Sequence, residues 1–207
     1  MRLELSRLTF TACLVLVASP SAAAVSTATS PGDWTPSPAQ QARLAHGETV
    51  VEMLPDPGRS SGIIHAAVDV HGSDADLWRL LTDCHEAPGL VPFIKTCRVI
   101  TRGPNFVLQE EMVQTVFFLP HIRTVFRADY HPLKRIDFHC VPGSELKVCD
   151  GAWRIEPTTP GTVRVTYASA ISSPYPVPDF VIRIVLSGQM GDAMRNLRRR
   201  AADAVTR

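Results

Sequence analysis

The chain has 207 residues, with 21 Lys and Arg set against 20 Asp and Glu for a net charge of +1. That balance offers no bulk electrostatic case for nucleic acid as a partner, and the length allows one good-sized domain with accessory segments. The 17 prolines fall mostly near the N-terminus or between predicted strands, where they act as punctuation.

Residues 1–24 read as an export signal. Arg2 and Arg7 form a basic start, residues 8–17 an apolar core, and Ser21-Ala22-Ala23-Ala24 a cleavage site after Ala24. The core is too short to span a bilayer, which takes about 20 apolar residues. Residues 25–46 follow as a mobile Ser/Thr/Pro-rich linker and a short helix over 38–45, with Ser37 as its cap and Pro38 at its first position. The main domain is placed at 47–207.

Residues 49–54 read as an edge strand. A turn at Pro55-Asp56-Pro57-Gly58 leads to a second strand over 62–70, with Ile64, Ala66, Val68 and Val70 on one face. Ser73 or Asp74 caps a short helix whose Leu77, Leu80 and Leu81 share a face. Pro88 and Pro92 then make residues 89–94 a loop or a broken helical turn, and a strand returns at 97–100. The strands after it alternate with period two: Phe126, Ala128 and Tyr130 against Arg127 and Asp129, then Trp153 and Ile155 against Arg154 and Glu156, then Val163, Val165 and Tyr167 against Arg164 and Thr166. This is an antiparallel meander with one buried face. After Pro174, Pro176 and Pro178, residues 180–205 form an amphipathic helix along Leu186, Met190, Ala193, Leu197 and Ala201. Gly188 and Gly191 are expected to let it lie close to another surface. A sheet with one apolar face needs a cover, and only this helix is long enough to provide it. The fold class is therefore α+β: a curved antiparallel sheet wrapped around a C-terminal helix.

If the signal is removed, four cysteines remain: Cys84, Cys97, Cys140 and Cys149. An even number in an exported chain argues for disulfides, and sequence alone allows three pairings. Local geometry favours Cys140 with Cys149 across a hairpin and Cys84 with Cys97 around the apolar loop. The latter bridge would restrain a lid formed by the loop. Neither pair has the tight spacing of structural zinc, and no metal or cofactor is expected. The seven histidines contain no metalloprotease-like pair, and nucleophile-elbow, phosphate-loop and dinucleotide motifs are missing.

Four features, in order, resemble the START-like superfamily (SRPBCC, or polyketide cyclase/dehydrase-like, proteins). They are Leu77-Trp78-Arg79-Leu80-Leu81-Thr82-Asp83 followed by Pro88 and Pro92-Phe93-Ile94; Gly151-Ala152-Trp153-Arg154-Ile155; Gly161-Thr162-Val163 with Tyr167; and the Pro176-Val177-Pro178 approach to the last helix. The resemblance covers residues 47–205. It implies a helix-grip fold with a cavity under the helix for lipids, sterols, quinones or polyketides, and for a few members catalysis. The expected ligand-binding residues are Phe93, Glu110, Phe118, Phe126, Trp153, Tyr167, Met190 and Met194, with Glu110, Tyr167 and Tyr130 as polar anchors. The leading expectation is an exported, non-enzymatic carrier of a hydrophobic small molecule. The alternatives are a cyclase or hydratase using Glu110 and Tyr167, and an envelope interaction module. The apolar loops at 90–94, 117–120 and 175–177 are candidates for a gate or for transient membrane contact.

Overall fold

The computed structural model describes residues 31–55, 61–115, 117–172, 174–175 and 178–205. The expected signal, the first part of the linker, the turn at 56–58 and residues 176–177 lie outside them. One eight-stranded antiparallel sheet has the order β1-β2-β8-β7-β6-β5-β4-β3. The strands are β1 (Thr49–Pro55), β2 (Ser61–His71), β3 (Ile94–Arg102), β4 (Phe106–Val113), β5 (Ile122–His131), β6 (Arg135–Cys140), β7 (Cys149–Thr159) and β8 (Thr162–Ser172). From β3 to β8 the chain is a meander, because each connection is a short turn that only an antiparallel neighbour satisfies.

The segment between β2 and β3 cannot be short. β2 lies beside one edge of the sheet and β3 forms the other, so the chain must cross the concave side. It does so as α2 (Asp74–Thr82) and α3 (Ala87–Leu90). The Ser73 hydroxyl caps α2 by accepting from the Asp76 N–H at 3.1 Å. Of residues 89–94, expected as a loop or a broken helical turn, Gly89 and Leu90 end a single helical turn that starts at Ala87 and closes through the Val91 N–H donating to the Ala87 carbonyl at 2.9 Å. Val91 then departs into extended backbone, as the residue before Pro92 must.

The last helix, α4 (Asp179–Val205), lies on the concave side against β1 and β2 and touches α2 and α3. Ala66, Val68 and Val165 of the sheet share one core with Met190, Met194 and Leu197 of the helix. Each Val, Leu or Met side chain buried there is worth about 1.5–3 kcal/mol. Of the two glycines expected to let it lie close to another surface, Gly188 points into open space and Gly191 is buried. Among the described residues no helix is long and apolar enough to cross a membrane.

The end of the expected mobile linker is tied down. Residues 31–37 cross the convex face of the sheet. Trp34 stacks on His65 of β2 with ring centroids 4.7 Å apart. Asp33 accepts from Arg135 of β6 at 2.7 Å and also pairs with Arg154 of β7. Those two guanidinium groups hold the Asp33 carboxyl below its ordinary value, with the Arg135 hydrogen bond the largest contribution. Helix α1 (Pro38–Ala45) follows, closed by a capping box in which Ser37 and Gln40 each accept from the other's backbone N–H. Leu44 packs with Val50 and Ala67 in a small second core on this outer face, against Trp34.

Gly151 of β7 is the tightest point of the sheet. A Cβ there would sit 2.7 Å from Phe138 Cζ and 2.8 Å from Ser169 Cα, and closer still to the Ala168 carbonyl oxygen. Backbone cannot retreat as a side chain can. Gly151→Ala is therefore expected to cost about 1–3 kcal/mol, read from urea denaturation midpoints at constant m. An unchanged midpoint would show that β7 and β8 can separate at no cost.

Candidate functional site

The curvature of the sheet and the crossover of α2 and α3 leave a cavity of about 160 Å³ between sheet, helices and α4. Its floor is aromatic. Phe126, Phe138 and Tyr167, on three strands, follow one another at centroid distances of 6.2 and 5.8 Å. Trp153 lies 4.6 Å from Tyr167. These are inward positions of the period-two alternation in β5 to β8, the phase on which they were expected. Phe93 and Met190 also line the cavity. Met194 does not; it is fully buried one turn further along α4, in the core beside it.

Glu110 is not in the cavity. It lies on the convex face, where its carboxylate accepts from Arg98 at 3.0 Å and Arg123 at 2.5 Å. Both pairings lower its pKa, the Arg98 hydrogen bond most. Its neighbour Glu111 is the inward residue, opposite Thr124 of β5, and it is 9% exposed. Gln109, two residues back and on the same face, donates to it at 3.2 Å. That hydrogen bond favours the ionised form, but burial outweighs it and pushes the carboxyl up to about 7. Desolvation wins because no cation is paired with the group to recover its lost hydration.

Three further polar groups share the wall. Thr124 Oγ1 is buried without a hydrogen-bond partner. Burial foremost, with the Glu111 charge adding to it, raises the Tyr167 hydroxyl to about 12, and Ser169 on the same strand acts against the rise. Ser169 is 1% exposed. Thr124 and Ser169 were not among the expected residues, although each is two residues from an inward aromatic in its own strand. Nor was Glu111. In β4 the more apolar set, Phe106, Leu108 and Met112, faces outward, and Phe106 is covered by the Arg127 guanidinium 3.9 Å from its ring.

The mouth of the cavity is closed by α3 and the residues after it. Leu90, Val91, Phe93 and Ile94 all line the wall. The structure joins Cys84 to Cys97, with Cα atoms 5.4 Å apart, and Cys140 to Cys149, with Cα atoms 5.3 Å apart. The first bridge fastens both ends of the α3 segment. Helix α4 holds its middle: Asn196 Nδ2 donates to the Leu90 carbonyl at 3.0 Å, and Arg200 pairs with Glu86 at 2.8 Å. Leu90, Val91 and Ile94 add buried apolar contacts to these polar ones.

Phe118, also expected in the site, is 65% exposed, and Phe117 is 88% exposed. Their rings meet edge to face at 5.2 Å. They stand on the β4–β5 loop, which Gln189 of α4 holds by donating to the Thr115 carbonyl at 2.6 Å. Phe180 and Ile184 on α4 are exposed too. Tyr130 is at the cavity, edge to face with Trp78 at 5.5 Å. Among the described residues there is no group of three or more His, Cys, Asp or Glu arranged to hold a metal ion.

A curved antiparallel sheet gripping a C-terminal helix around an apolar cavity with a polar end defines a helix-grip ligand-binding domain. The sequence model of the family described as polyketide cyclase / dehydrase and lipid transport matches residues 70–198, and the chain belongs to that family. No curated protein matches the sequence. Among solved structures, the STAR-related lipid transfer protein of Xanthomonas axonopodis is similar at 14% identity and a TM-score of 0.64, over 74% of this chain and 93% of that one. The Zhui aromatase/cyclase of Streptomyces sp. R1128 aligns at 12% identity and 0.60, over 70% and 96%. The lipid transfer and protein localization domain of human StarD13 aligns at 15% and 0.57, over 79% and 94%. At these identities the likeness is one of fold.

Proposed function

We propose that this protein is an exported carrier of a hydrophobic small molecule, bound between sheet and α4. The observation that carries the reading is the aromatic cavity whose apolar lining is broken by a few polar side chains, among them Glu111, Gln109, Thr124, Tyr167 and Ser169. Binding draws on apolar burial at roughly 25 cal/mol per Å², and these polar groups set orientation. The α3 segment opens for loading. The two disulfides support a site of action outside the cytoplasm. The exposed Phe117, Phe118, Phe180 and Ile184 suit transient contact with a membrane during exchange. Mass spectrometry of an organic extract of the purified protein tests the carrier reading. A stoichiometric apolar compound, recovered chemically unchanged after prolonged incubation, is expected; protein that is empty and takes up no apolar probe would sink it.

A second reading rests on the same carboxyl. A Glu poised at about 7 beside a phenol is suited to acid–base chemistry on a carbonyl compound, as in a cyclase or dehydratase. Conversion of a poly-ketone chain that is lost in Glu111→Gln would favour it over the carrier.

A further inference from the structure

The ligand's own charge can be argued from the wall that holds it, given the ligand-binding reading above. The titratable groups lining the cavity are Asp83, Glu111, Tyr130 and Tyr167, with Cys84 and Cys149 bridged. Each of the four becomes negative when it ionises. Among the described residues that line it there is no Lys, Arg or His. The nearest cations, Arg79, Arg102 and Arg200, lie in an outer groove that meets the cavity at Leu80, Thr82 and Asp83, away from Glu111, and Arg102 acts on Tyr130 from there. A carboxylate or phosphate brought to the polar end would be buried without a counter-charge, and Glu111 would stand beside it. Buried anions persist only when paired or hydrogen-bonded throughout.

An uncharged hydroxyl or carbonyl meets the opposite situation. Thr124 Oγ1 is buried and has no partner, so a ligand oxygen supplies the bond it lacks. The Glu111 carboxyl and the Tyr167 hydroxyl stand on the same wall. The floor is a run of aromatic faces, and a cavity of about 160 Å³ is close to the roughly 150 Å³ that takes a single benzene ring. We propose that Glu111, set with Thr124 and Tyr167 on a wall without cations, makes the cavity accept uncharged ring compounds bearing a hydroxyl or carbonyl and refuse amphiphiles with an anionic polar end, fatty acids among them.

The test is calorimetric titration of the purified protein with phenol and benzoate, one ring skeleton with two polar ends, at about pH 8. Phenol is expected to bind at least tenfold more tightly than benzoate. Glu111→Gln is expected to narrow that ratio at least threefold by strengthening benzoate. Thr124→Val, which leaves the carboxyl in place, is expected to weaken phenol severalfold and leave benzoate unchanged. Benzoate binding as tightly as phenol, or a ratio that neither variant alters, overturns the proposal while leaving the ligand-binding reading intact. If neither probe binds and no compound co-purifies, that reading falls and takes this one with it.

Discussion

Glu111→Gln is expected to make the protein more stable at about pH 8 and to leave its stability unchanged at about pH 4. The ordinary value of the carboxyl is 4.5, and burial raises it to about 7 in the fold. Below 4.5 it is protonated in folded and unfolded chains alike and contributes no pH dependence. Between 4.5 and about 7 the unfolded chain has released a proton that the folded chain keeps, so stability falls as pH rises. Above about 7 both are ionised and the full penalty stands. At 1.36 kcal/mol per pH unit between the two values, that penalty is roughly 3 kcal/mol. Gln has no proton to lose and keeps the amide contact with Gln109. For a domain of this size the gain corresponds to a midpoint rise of roughly 6–12 °C. Thermal melts of both proteins at the two pH values provide the check. A variant no more stable than the parent at pH 8 would mean that Glu111 is better solvated than its burial implies. Such a residue is kept at a cost to stability, which is the usual sign of a role in binding or catalysis.

Removing the Cys84–Cys97 bridge by a double Cys→Ser change should cost about 3 kcal/mol and loosen the cavity mouth. The bridge spans 13 residues, and closing a loop near that length in the unfolded chain accounts for about 3 kcal/mol of stabilisation. The segment it spans carries α3 and the cavity-lining Leu90, Val91, Phe93 and Ile94. Without the bridge, α3 is kept in place by its apolar contacts, the Asn196 bond to Leu90 and the Arg200–Glu86 pair. Partly exposed ion pairs of that kind are worth at most about 1 kcal/mol. Ligand dissociation should therefore accelerate more than the equilibrium affinity weakens, since the bound state gains nothing from a lid that opens more often. Stopped-flow release of a bound fluorescent probe, with chemical denaturation alongside, separates the two effects. Release at the parent rate in a destabilised variant would assign the bridge to stability alone. The Cys140–Cys149 bridge closes a smaller loop across the β6–β7 hairpin, and its removal should alter release far less.

The sheet and its long helix were legible because their signals are local. Period-two alternation in β5, β7 and β8, the turn residues between them and the three-and-four spacing along α4 state which elements form and which side of each is apolar. The capping box at Ser37 and Gln40 and the cap at Ser73 mark helix starts with residues that lie within one turn of each other. The inward aromatics Phe126, Phe138, Trp153 and Tyr167 follow from that same phase. What the chain order could not state was how β4 meets β5. A slip of one residue in that pairing exchanges Glu110 for Glu111 at the cavity, and the apolar count of β4 favours the wrong face. Only the assembled sheet decides it, by pairing Glu111 with Thr124 and leaving Glu110 to Arg98 and Arg123. The docking of residues 31–37 was hidden for the same reason. Asp33 finds Arg135 and Arg154 more than a hundred positions along the chain. The sequence by itself determined the elements and their apolar faces, because those depend on neighbours within a few residues. The tertiary structure decided which carboxyl is buried and what surrounds it, because burial and charge pairing depend on strands brought together from distant parts of the chain.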